Sequence, residues 1–222
     1  MSTNAPEKIA GVALAAGAGS RFGFKPKCLL GRDGEPLIVR QIRLLREAGI
    51  TDVVVVLGHH AERVAAVLAE LKQQKQYTGL HWTLNPAPDE GTAGSLRRAL
   101  NALPQEVSGV MVLLGDQPLL QAGDVRALRD AWTQRAPGIA LVLPQHQGQP
   151  GHPLIFDAQV RQAVAAMQGA DGVRHWRRAH PEAVQAIAVT HDRCTRDVDT
   201  EADVQALAHT HGVRLQWPAA LA

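Results

Sequence analysis

Short apolar runs alternate with longer amphipathic segments along almost the whole chain. Several of the runs are nearly continuous Val, Ile and Leu, which is typical of strands that are covered on both faces. In the segment at residues 36–48, Ile38, Ile42 and Leu45 fall on one helical face, and Gly49 follows as a stop signal. The alternation predicts an α/β fold with a mainly parallel sheet. The predicted strands are residues 9–15, 52–57, 80–84, 110–114, 139–143 and 183–189, and the predicted helices are residues 36–48, 60–73, 93–103, 122–135, 157–167, 172–180 and 201–211.

Composition limits the class of protein and its partners. The 222 residues are 45% hydrophobic and 20% charged, which suits one domain, predicted to span residues 8–215. The net charge of +2 comes from 23 basic and 21 acidic residues that are interspersed, so we expect no nucleic-acid or membrane partner. Cys28 and Cys194 lack metal-ligand spacing and are expected to be free thiols. Because Gly11 and Gly17 interrupt the first apolar run, it is too short for a signal sequence or a membrane span, and we expect a cytoplasmic protein.

The segment GAGSRFGFKPK, residues 17–27, follows the first predicted strand and admits three interpretations. Gly17, Gly19 and Gly23 resemble one variant of a dinucleotide fingerprint. That fingerprint opens directly into a helix and needs an acidic residue after the second strand, about 20 residues on. Here Pro26 follows the glycines, and the second predicted strand ends in Gly-His-His. A P-loop is also excluded, because no G-K-[ST] is present.

The third interpretation is a cradle for a nucleoside triphosphate. Backbone N–H groups at Gly17 and Gly19 can approach phosphate oxygens closely because neither residue has a side chain. Arg21 and Lys27 place positive charge where negative charge develops during phosphoryl or nucleotidyl transfer. Ligands of doubly wound sheets bind at the carboxyl ends of strands, which is where this loop lies. We therefore predict a triphosphate site, with a solvated basic turn as the alternative.

A carboxylate follows a later strand. Asp116 occurs in the sequence GDQP, directly after the predicted strand at residues 110–114. At the end of a strand beside a triphosphate, a carboxylate is a suitable ligand for Mg²⁺. Gly-Asp-x-Pro also forms ordinary β-turns, which is the alternative. Together with the first loop, Asp116 predicts a magnesium site.

The segment after the third predicted strand is rich in small and polar residues. Asn85, Gly91 and Ser95 form a turn that leads into a helix N-terminus, which suits a base or ribose. As a purely local signal, Thr92 acting only as a helix N-cap explains the same segment equally well.

The motifs together resemble a known family. LAAGAGSRFG followed by KPKCLL is similar to the signature loop of the nucleotidyltransferases that include the molybdenum-cofactor guanylyl- and cytidylyltransferases and the sugar-phosphate nucleotidyltransferases. The segments NP…G…SL, GDQP, PGHP, GADGVR and DVDTEAD resemble further parts of that family, in the same order, along residues 12–203. The resemblance implies a Rossmann-like three-layer α/β/α sandwich that binds a nucleoside triphosphate with Mg²⁺.

The resemblance also implies roles for single residues. Arg21, Lys27 and Asp116 are the expected catalytic residues, and Lys27 is the expected phosphate contact, with Lys25 as the alternative. Asp116 and Asp199 are the expected metal ligands. The expected nucleotide-binding residues are Leu14, Ala15, Ala16, Gly17, Gly19, Ser20, Lys25, Gly58, His59, Asn85, Gly91 and Ser95.

The second half of the chain is expected to bind the acceptor. His152 and Arg174 are the expected acceptor contacts, and the apolar LIF that follows His152 fits a strand or a helix. Arg174, Arg177 and Arg178 fall on nearby turns of a predicted helix and could face an anionic substrate, but a solvated basic face is the more economical explanation of Arg177 and Arg178. Asp197 is the less favoured metal ligand of the DVDT segment.

The function implied by the resemblance is nucleotidyl transfer from a nucleoside triphosphate to a phosphate acceptor, with release of pyrophosphate. LAAG, GDQP and PGHP resemble the cytidylyltransferase branch, which favours CTP as donor and molybdopterin as acceptor, with a molybdenum hydroxylase or its accessory protein as a partner. A sugar or polyol phosphate acceptor remains an alternative. So does a different class, a nicotinamide-dependent reductase or a non-catalytic nucleotide-binding protein.

Overall fold

The computed structural model describes residues 7–221. The strands are β1 Ile9–Ala15, β2 Gly31–Arg32, β3 Glu35–Pro36, β4 Val53–Leu57, β5 Leu80–Leu84, β6 Gly109–Leu114, β7 Leu141–His146, β8 Gln149–Pro150, β9 Leu154–Asp157, β10 Val184–Ala188 and β11 Leu215–Gln216. The helices are α1 Leu37–Glu47, α2 Ala61–Lys72, α3 Thr92–Ala102, α4 Ala122–Thr133, α5 Ala158–Ala166, α6 Val173–Ala179 and α7 Glu201–His211. Among the described residues, no helix has both the length and the apolar character needed to cross a membrane.

The main sheet has the order β10-β7-β9-β6-β1-β4-β5, and β8 pairs with β7. The pairs β1–β4, β1–β6, β4–β5 and β7–β10 are parallel, whereas β9 is antiparallel to both β6 and β7. The chain leaves β1 towards β4 and β5 and later returns to place β6 on the other side of β1. This reversal opens a crevice at the carboxyl ends of β1 and β6, where open α/β sheets bind ligands.

Helices cover both faces of the sheet. One apolar cluster joins α1, α2 and α4 to one face, through residues such as Ile42, Leu68 and Trp132. A second cluster joins α3, α5 and α6 to the other face, through residues such as Leu100 and Trp176. The side chains of β4 alternate between the two clusters, as the two-residue period of a strand requires. The predicted three-layer α/β/α sandwich is therefore confirmed.

A third, smaller cluster lies at the carboxyl-end edge of the sheet. Phe22 of the first loop, Leu119 after β6 and Val198 before α7 pack together with Leu207 and Leu215 of the C-terminal elements. The short strands β2, β3 and β11 form a separate antiparallel sheet of their own. This cluster, which we call the satellite core, therefore connects the glycine-rich loop after β1 to the loops after β6 and before α7.

Three details of the two sheets go beyond the predicted elements, and each has a physical cause. The apolar LIF after His152 forms strand β9, so the chain adds an antiparallel strand between β6 and β7. The strand predicted at 139–143 instead spans Leu141–His146, because its polar end pairs with β8 and β10. The small antiparallel sheet was not predicted, because strands of two residues have no readable period.

Candidate active site

A cavity of about 970 Å³ lies at the carboxyl ends of β1 and β6. Its floor is formed by the ends of these two strands, including Leu14, Ala15 and Gly115. One wall comes from the segment before and within α3, and a second wall comes from the β8–β9 loop and α6. The acidic loop before α7 closes a third side. The cavity therefore lies at the crevice that the strand order predicts.

The glycine-rich loop after β1 has a fixed shape. Its residues Ser20–Phe22 form a single 3₁₀ turn between Gly19 and Gly23, which both adopt the left-handed conformation. A Cβ at Gly19 would lie 1.8 Å from the carbonyl oxygen of Lys25, so only glycine fits there. This arrangement confirms the expectation that no helix follows the glycines directly.

The structure separates the two lysines of the loop. Phe22 is buried and packs edge-on against Trp217, with their ring centroids 5.6 Å apart. The ammonium of Lys25 lies 5.3 Å from the centroid of the same Trp217 ring, on the outer side of the loop. Lys27 instead lines the cavity. Of the two candidates, Lys27 therefore has the geometry of a phosphate contact.

Lys27 connects two carboxylates across the cavity. Its Nζ donates to Asp116 Oδ2 at 2.9 Å and to Asp199 Oδ1 at 2.5 Å. Arg21 donates from Nη1 to the other oxygen of Asp199 at 2.8 Å. Burial alone would lower the pKa of Lys27, but Asp116 and Asp199 outweigh it and raise that pKa above its ordinary value. Lys27 is therefore held as a cation between two predicted metal ligands.

Asp197 is the third carboxylate at this point. It lines the cavity together with Asp199, while Val198 between them is fully buried in the satellite core. The backbone N–H of Val198 donates to the carbonyl of Asp116 at 3.0 Å, which fixes the acidic loop against the end of β6. Burial and the negative charge of Asp116 raise the pKa of Asp197. The loop thus concentrates negative charge, and among residues 7–221 it is Lys27 and Arg21 that pair with these carboxylates.

These carboxylates suit a divalent cation. Mg²⁺ binds proteins through one or two carboxylates and completes its octahedral shell with water and substrate phosphates. Asp116 and Asp199 both contact the ammonium of Lys27, so their oxygens face a common point. Within residues 7–221, no cluster of three or more His, Cys, Asp or Glu side chains could hold a metal ion. Two carboxylates that face a common point fit an ion whose remaining ligands are water and substrate phosphates.

Of the predicted nucleotide-binding residues near α3, some line the cavity and one is buried beneath its wall. Gly91 and Ser95 line the cavity. Asn85 is buried, where its amide donates to Ser95 Oγ at 3.1 Å and its Oδ1 accepts from the Ala87 N–H. Asn85 therefore shapes the turn rather than facing the cavity. The N-cap of α3 is Gly91, so the local interpretation of Thr92 as the N-cap is wrong.

Residues after β4 support the first loop. A Cβ at Gly58 would lie 2.4 Å from the carbonyl oxygen of Ala16, so the absence of a side chain lets the two strand ends approach. The backbone N–H of His59 donates to that same carbonyl at 3.4 Å, and its ring lies 2.9 Å from Asp89. Gly58 and His59 therefore do not line the cavity but contact the backbone of Ala16, which does.

The wall formed by the β8–β9 loop and α6 is basic, and we call it the basic wall. His152 lines the cavity, and its backbone N–H donates to the carbonyl of Cys194 at 2.8 Å. Loss of solvation, with a smaller effect of Arg177, lowers the pKa of His152 to about 4, so the imidazole is neutral at physiological pH. Arg174, Arg177 and Arg178 line the same wall. Arg174 and Arg178 are exposed at the rim of the cavity, as a solvated basic face requires, whereas Arg177 is partly buried.

The predicted site residues fall into two groups. Those that line the cavity are Leu14, Ala15, Ala16, Gly17, Lys27, Gly91, Ser95, Asp116, His152, Arg174 and Asp199. Those outside its lining are Gly19, Ser20, Arg21, Lys25, Gly58, His59 and Asn85. Arg21 nevertheless reaches the site through Asp199.

Sequence reasoning missed several lining residues. Cys28, Pro88, Glu90, Gln149 and Pro150 all line the cavity. Cys28 lies directly beside Lys27, and burial together with the charge of Asp116 raises the pKa of its thiol to about 12. Position after a predicted strand could have indicated Cys28. Nothing in the local sequence indicates that Gln149 and Pro150 face this cavity, because strand pairing brings them there.

Comparison with known proteins agrees with this geometry. The model of the MobA-like NTP transferase domain matches residues 11–184, which include the phosphate loop, Asp116 and the basic wall. The chain belongs to the MobA-like NTP transferase family. It is thus a member of the nucleotidyltransferase superfamily, as the sequence motifs predict.

Two curated relatives carry different names. The nicotine blue oxidoreductase of Paenarthrobacter nicotinovorans is 32% identical to this MobA-like chain over 197 residues, or 86% of this chain and 92% of that protein. The bifunctional protein GlmU of Mycobacterium ulcerans is 30% identical over 162 residues, or 72% of this chain and 32% of GlmU. The match therefore spans about a third of the length of GlmU.

Solved structures confirm the Rossmann-like fold of the nucleotide-diphospho-sugar transferase type. Rv0371c of Mycobacterium tuberculosis superposes with a TM-score of 0.77 at 28% identity, covering 93% of this MobA-like chain and 100% of that one. A structure of Rv0371c in complex with manganese gives 0.70 at 26% identity, with 91% and 99% covered. A nucleotidyl transferase from Methanothermobacter shares the fold. Its TM-score is 0.71 at 20% identity, with 90% of this chain and 95% of that one covered.

Proposed function

We propose that this protein transfers CMP from CTP to a molybdopterin-type phosphate acceptor and releases pyrophosphate. The observation that carries the proposal is Lys27 held between Asp116 and Asp199 at the end of β1 and β6. A cation between two carboxylates, beside a glycine-rich loop, supplies both a phosphate contact and a place for a divalent ion. The family match supports the reaction class, and the motifs LAAG, GDQP and PGHP support the donor and acceptor.

The proposed reaction is an in-line substitution at the α-phosphorus. An oxygen of the acceptor phosphate forms a bond to the α-phosphorus, and the bond to the oxygen that bridges to the β-phosphorus breaks, so pyrophosphate leaves. A phosphate acceptor is already ionised at neutral pH, so the protein needs to position reactants and offset charge rather than supply a strong base. Mg²⁺, when bound, would offset charge on the triphosphate oxygens.

The residues of this chain divide that work. The backbone N–H groups of Gly17 and Gly19 would contact the triphosphate oxygens, and Arg21 and Lys27 would supply positive charge beside them. Asp116 and Asp199 would hold Mg²⁺. We propose that Leu14, Ala15, Ala16, Gly91 and Ser95 contact the nucleoside, with Ser20, Lys25, Gly58, His59 and Asn85 holding the surrounding loops in place.

The preference for CTP rests on the space at the end of β1. Ala16 stands in LAAG where the resemblance implies a second glycine in guanylyl-transferring relatives. Ala16 lines the cavity, and its neighbourhood is crowded, since a Cβ at Gly58 would lie 2.8 Å from the Ala16 Cβ. Less room at this point favours a pyrimidine over a larger purine.

The acceptor is expected on the basic wall. Neutral His152 can donate or accept a hydrogen bond there, and Arg174 offers a charge-assisted one. We further propose that residues 8–215 act as one nucleotidyltransferase domain in the cytoplasm and that a molybdenum hydroxylase or its accessory protein receives the product.

A second candidate follows from one relative. The relative named nicotine blue oxidoreductase matches this chain over almost its full length, which favours testing a nicotinamide-dependent reduction. NADPH oxidation in the presence of a reducible dye would support that function. Such activity without any pyrophosphate release would replace the transferase proposal.

The direct test is pyrophosphate release from each of the four ribonucleoside triphosphates, with and without molybdopterin. We expect release with CTP and Mg²⁺ only when molybdopterin is present. Replacing Asp116→Asn should abolish release and leave the fold intact, since the position is a turn. Asp33→Asn, at an exposed turn, is the control and should keep full activity. Undiminished turnover in the Asp116 variant would remove this carboxylate from the mechanism.

A further inference from the structure

The side chain of His60 contacts the glycine-rich loop after β1. Its Nε2 lies 2.9 Å from the carbonyl oxygen of Ala18. A carbonyl oxygen can only accept, so the ring nitrogen is the donor in this hydrogen bond. His60 is the second histidine of the Gly-His-His that follows β4, and the sequence motifs assign it no role.

Helix α2, which begins directly after His60, does not need the histidine ring. His60 is the N-cap of α2, but its side chain makes no capping hydrogen bond. The first turn is closed by the main chain instead: the N–H of Ala61 donates to the carbonyl of Gly58, and the N–H of Val64 donates to the carbonyl of His60. The hydrogen bond from the ring to Ala18 therefore holds the loop rather than the helix.

The turn between β4 and α2 holds the loop at a second point. The backbone N–H of His59 donates to the carbonyl of Ala16 at 3.4 Å, so the carbonyls of Ala16 and Ala18 both bond to this turn. In a planar trans peptide, the carbonyl and the N–H of the next residue point in opposite directions. The N–H groups of Gly17 and Gly19 therefore point away from the turn.

The same two N–H groups are left without a backbone partner. Among residues 7–221, neither Gly17 nor Gly19 donates its N–H to a backbone carbonyl. Gly17 lines the cavity at the ends of β1 and β6. Neighbouring backbone donors that point the same way form a concavity that binds anions.

We propose that His60 is a positioning residue for the nucleotide: it holds the carbonyl of Ala18, so that the N–H of Gly19 joins that of Gly17 in facing the triphosphate. This inference rests on the proposed transfer function, because it names what keeps the phosphate loop of that site in shape. The ring acts through the loop and contacts no substrate. Its effect therefore falls on the affinity for phosphates and does not depend on the base.

Calorimetry with two probes, CTP with Mg²⁺ and inorganic tripolyphosphate with Mg²⁺, tests this role. His60→Phe keeps a flat ring and removes the donor, and we expect it to weaken the binding of both probes about tenfold, as the loss of one hydrogen bond predicts. His60→Gln restores an N–H donor and should bind both probes within about threefold of the wild-type protein. Unchanged affinity in His60→Phe would overturn the proposal. A His60→Gln variant as weak as His60→Phe would do so too, because the shape of the ring would then matter and not its hydrogen bond.

His81→Phe is the matched control. His81 is an exposed histidine of β5, and its replacement should leave the affinity for both probes unchanged. The backbone amide signal of Gly19 in an NMR spectrum reports on the loop without any ligand. It should move in His60→Phe and stay in place in His81→Phe, and equal spectra would contradict the proposal. His60→Met replaces His60→Phe if the latter fails to fold.

Binding to the wild-type protein separates this proposal from the transfer proposal. If CTP binds and His60→Phe has no effect, the positioning role fails and the transfer proposal stands. If tripolyphosphate binding depends on His60 but CTP does not bind, the loop is a polyphosphate site and CMP transfer fails. If neither probe binds, both proposals fail.

Discussion

Lys27 lies between two carboxylates, so removing its charge should move metal affinity and nucleotide affinity in opposite directions. Lys27→Met frees Asp116 and Asp199 from their ammonium partner. We expect Mn²⁺ alone to bind about tenfold more tightly to this variant, since a competing cation is gone. CTP-dependent activity should fall at least about a hundredfold, since a contact to developing phosphate charge is lost. Mn²⁺ titration and pyrophosphate release measure the two effects.

The control is the other lysine of the loop. Lys25→Met removes an ammonium that lies over the Trp217 ring and outside the cavity. It should leave Mn²⁺ affinity unchanged and activity within about twofold. A Lys25 variant with the larger loss of activity would show that the loop presents Lys25, not Lys27, to the phosphates in the bound state.

His152 makes the stability of the protein depend on pH in a defined direction. Its pKa is held at about 4 in the folded protein by loss of solvation, against about 6.5 in an unfolded chain. Between these values the unfolded chain takes up a proton that the folded chain does not. The free energy of unfolding should therefore fall as the pH drops from about 6.5 to 4, and His152 should account for about 1 to 3 kcal/mol of that loss.

His152→Asn isolates this contribution, because asparagine does not titrate. Urea unfolding of both proteins at several pH values gives two stability curves, and other titrating groups contribute to both. Below about pH 5.5, any excess in the free energy of unfolding of the wild-type protein over the variant should shrink, or the variant should become the more stable of the two. Parallel curves would mean that the ring is solvated and protonates normally in the folded protein.

At the scale of elements, Val198 shows how packing positions the acidic loop. An extended segment points alternate side chains to opposite sides, so burying Val198 in the satellite core turns Asp197 and Asp199 to the cavity. Val198→Ala should cost about 1 to 3 kcal/mol of stability and also weaken Mg²⁺-dependent CTP binding. Val64→Ala, in the cluster under α2, should cost a similar amount and leave CTP binding unchanged. Chemical unfolding and calorimetry measure the two effects.

This comparison separates a positioning role from general loss of stability. Equal losses of CTP affinity in the Val64 and Val198 variants would show that overall stability, and not the orientation of the aspartates, limits binding. Val64 belongs to the cluster under α2 and not to the satellite core, so its removal leaves the side chains packed around Val198 in place.

The elements also explain what the sequence could and could not predict. Strand β4 is nearly all valine because helices cover both of its faces, so its apolar run predicted a buried strand. The carboxyl ends of parallel strands lie at the same edge of the sheet, so the positions of Lys27 after β1 and Asp116 after β6 could be predicted to lie close together. Strand β9 has only four residues, and its place between β6 and β7 is decided by long-range pairing. Helix α6 has only seven residues, and the sequence alone does not determine which of its sides faces the cavity.

At the scale of the whole molecule, the site draws on loops that are far apart in sequence and held together mainly by Lys27, Arg21 and the satellite core. A ligand that bridges these loops should therefore raise the unfolding temperature. Nucleotide at about one hundred times its dissociation constant adds about 2.7 kcal/mol, which for a chain of this size corresponds to a rise of about 5 to 10 °C. We expect this rise with CTP and Mg²⁺ together.

The same melting experiment distinguishes the proposed transferase from the reductase alternative. The loop after β1 does not open into a helix, and Pro26 follows its glycines, so a dinucleotide pyrophosphate lacks its usual helix N-terminus. NADPH should therefore leave the melting temperature unchanged. In Asp116→Asn, the rise with CTP should no longer depend on Mg²⁺, because one of the two carboxylates that face Lys27 has lost its charge. A rise with NADPH and none with CTP and Mg²⁺ would reverse the functional assignment, because the cavity would then hold a dinucleotide despite the shape of its first loop.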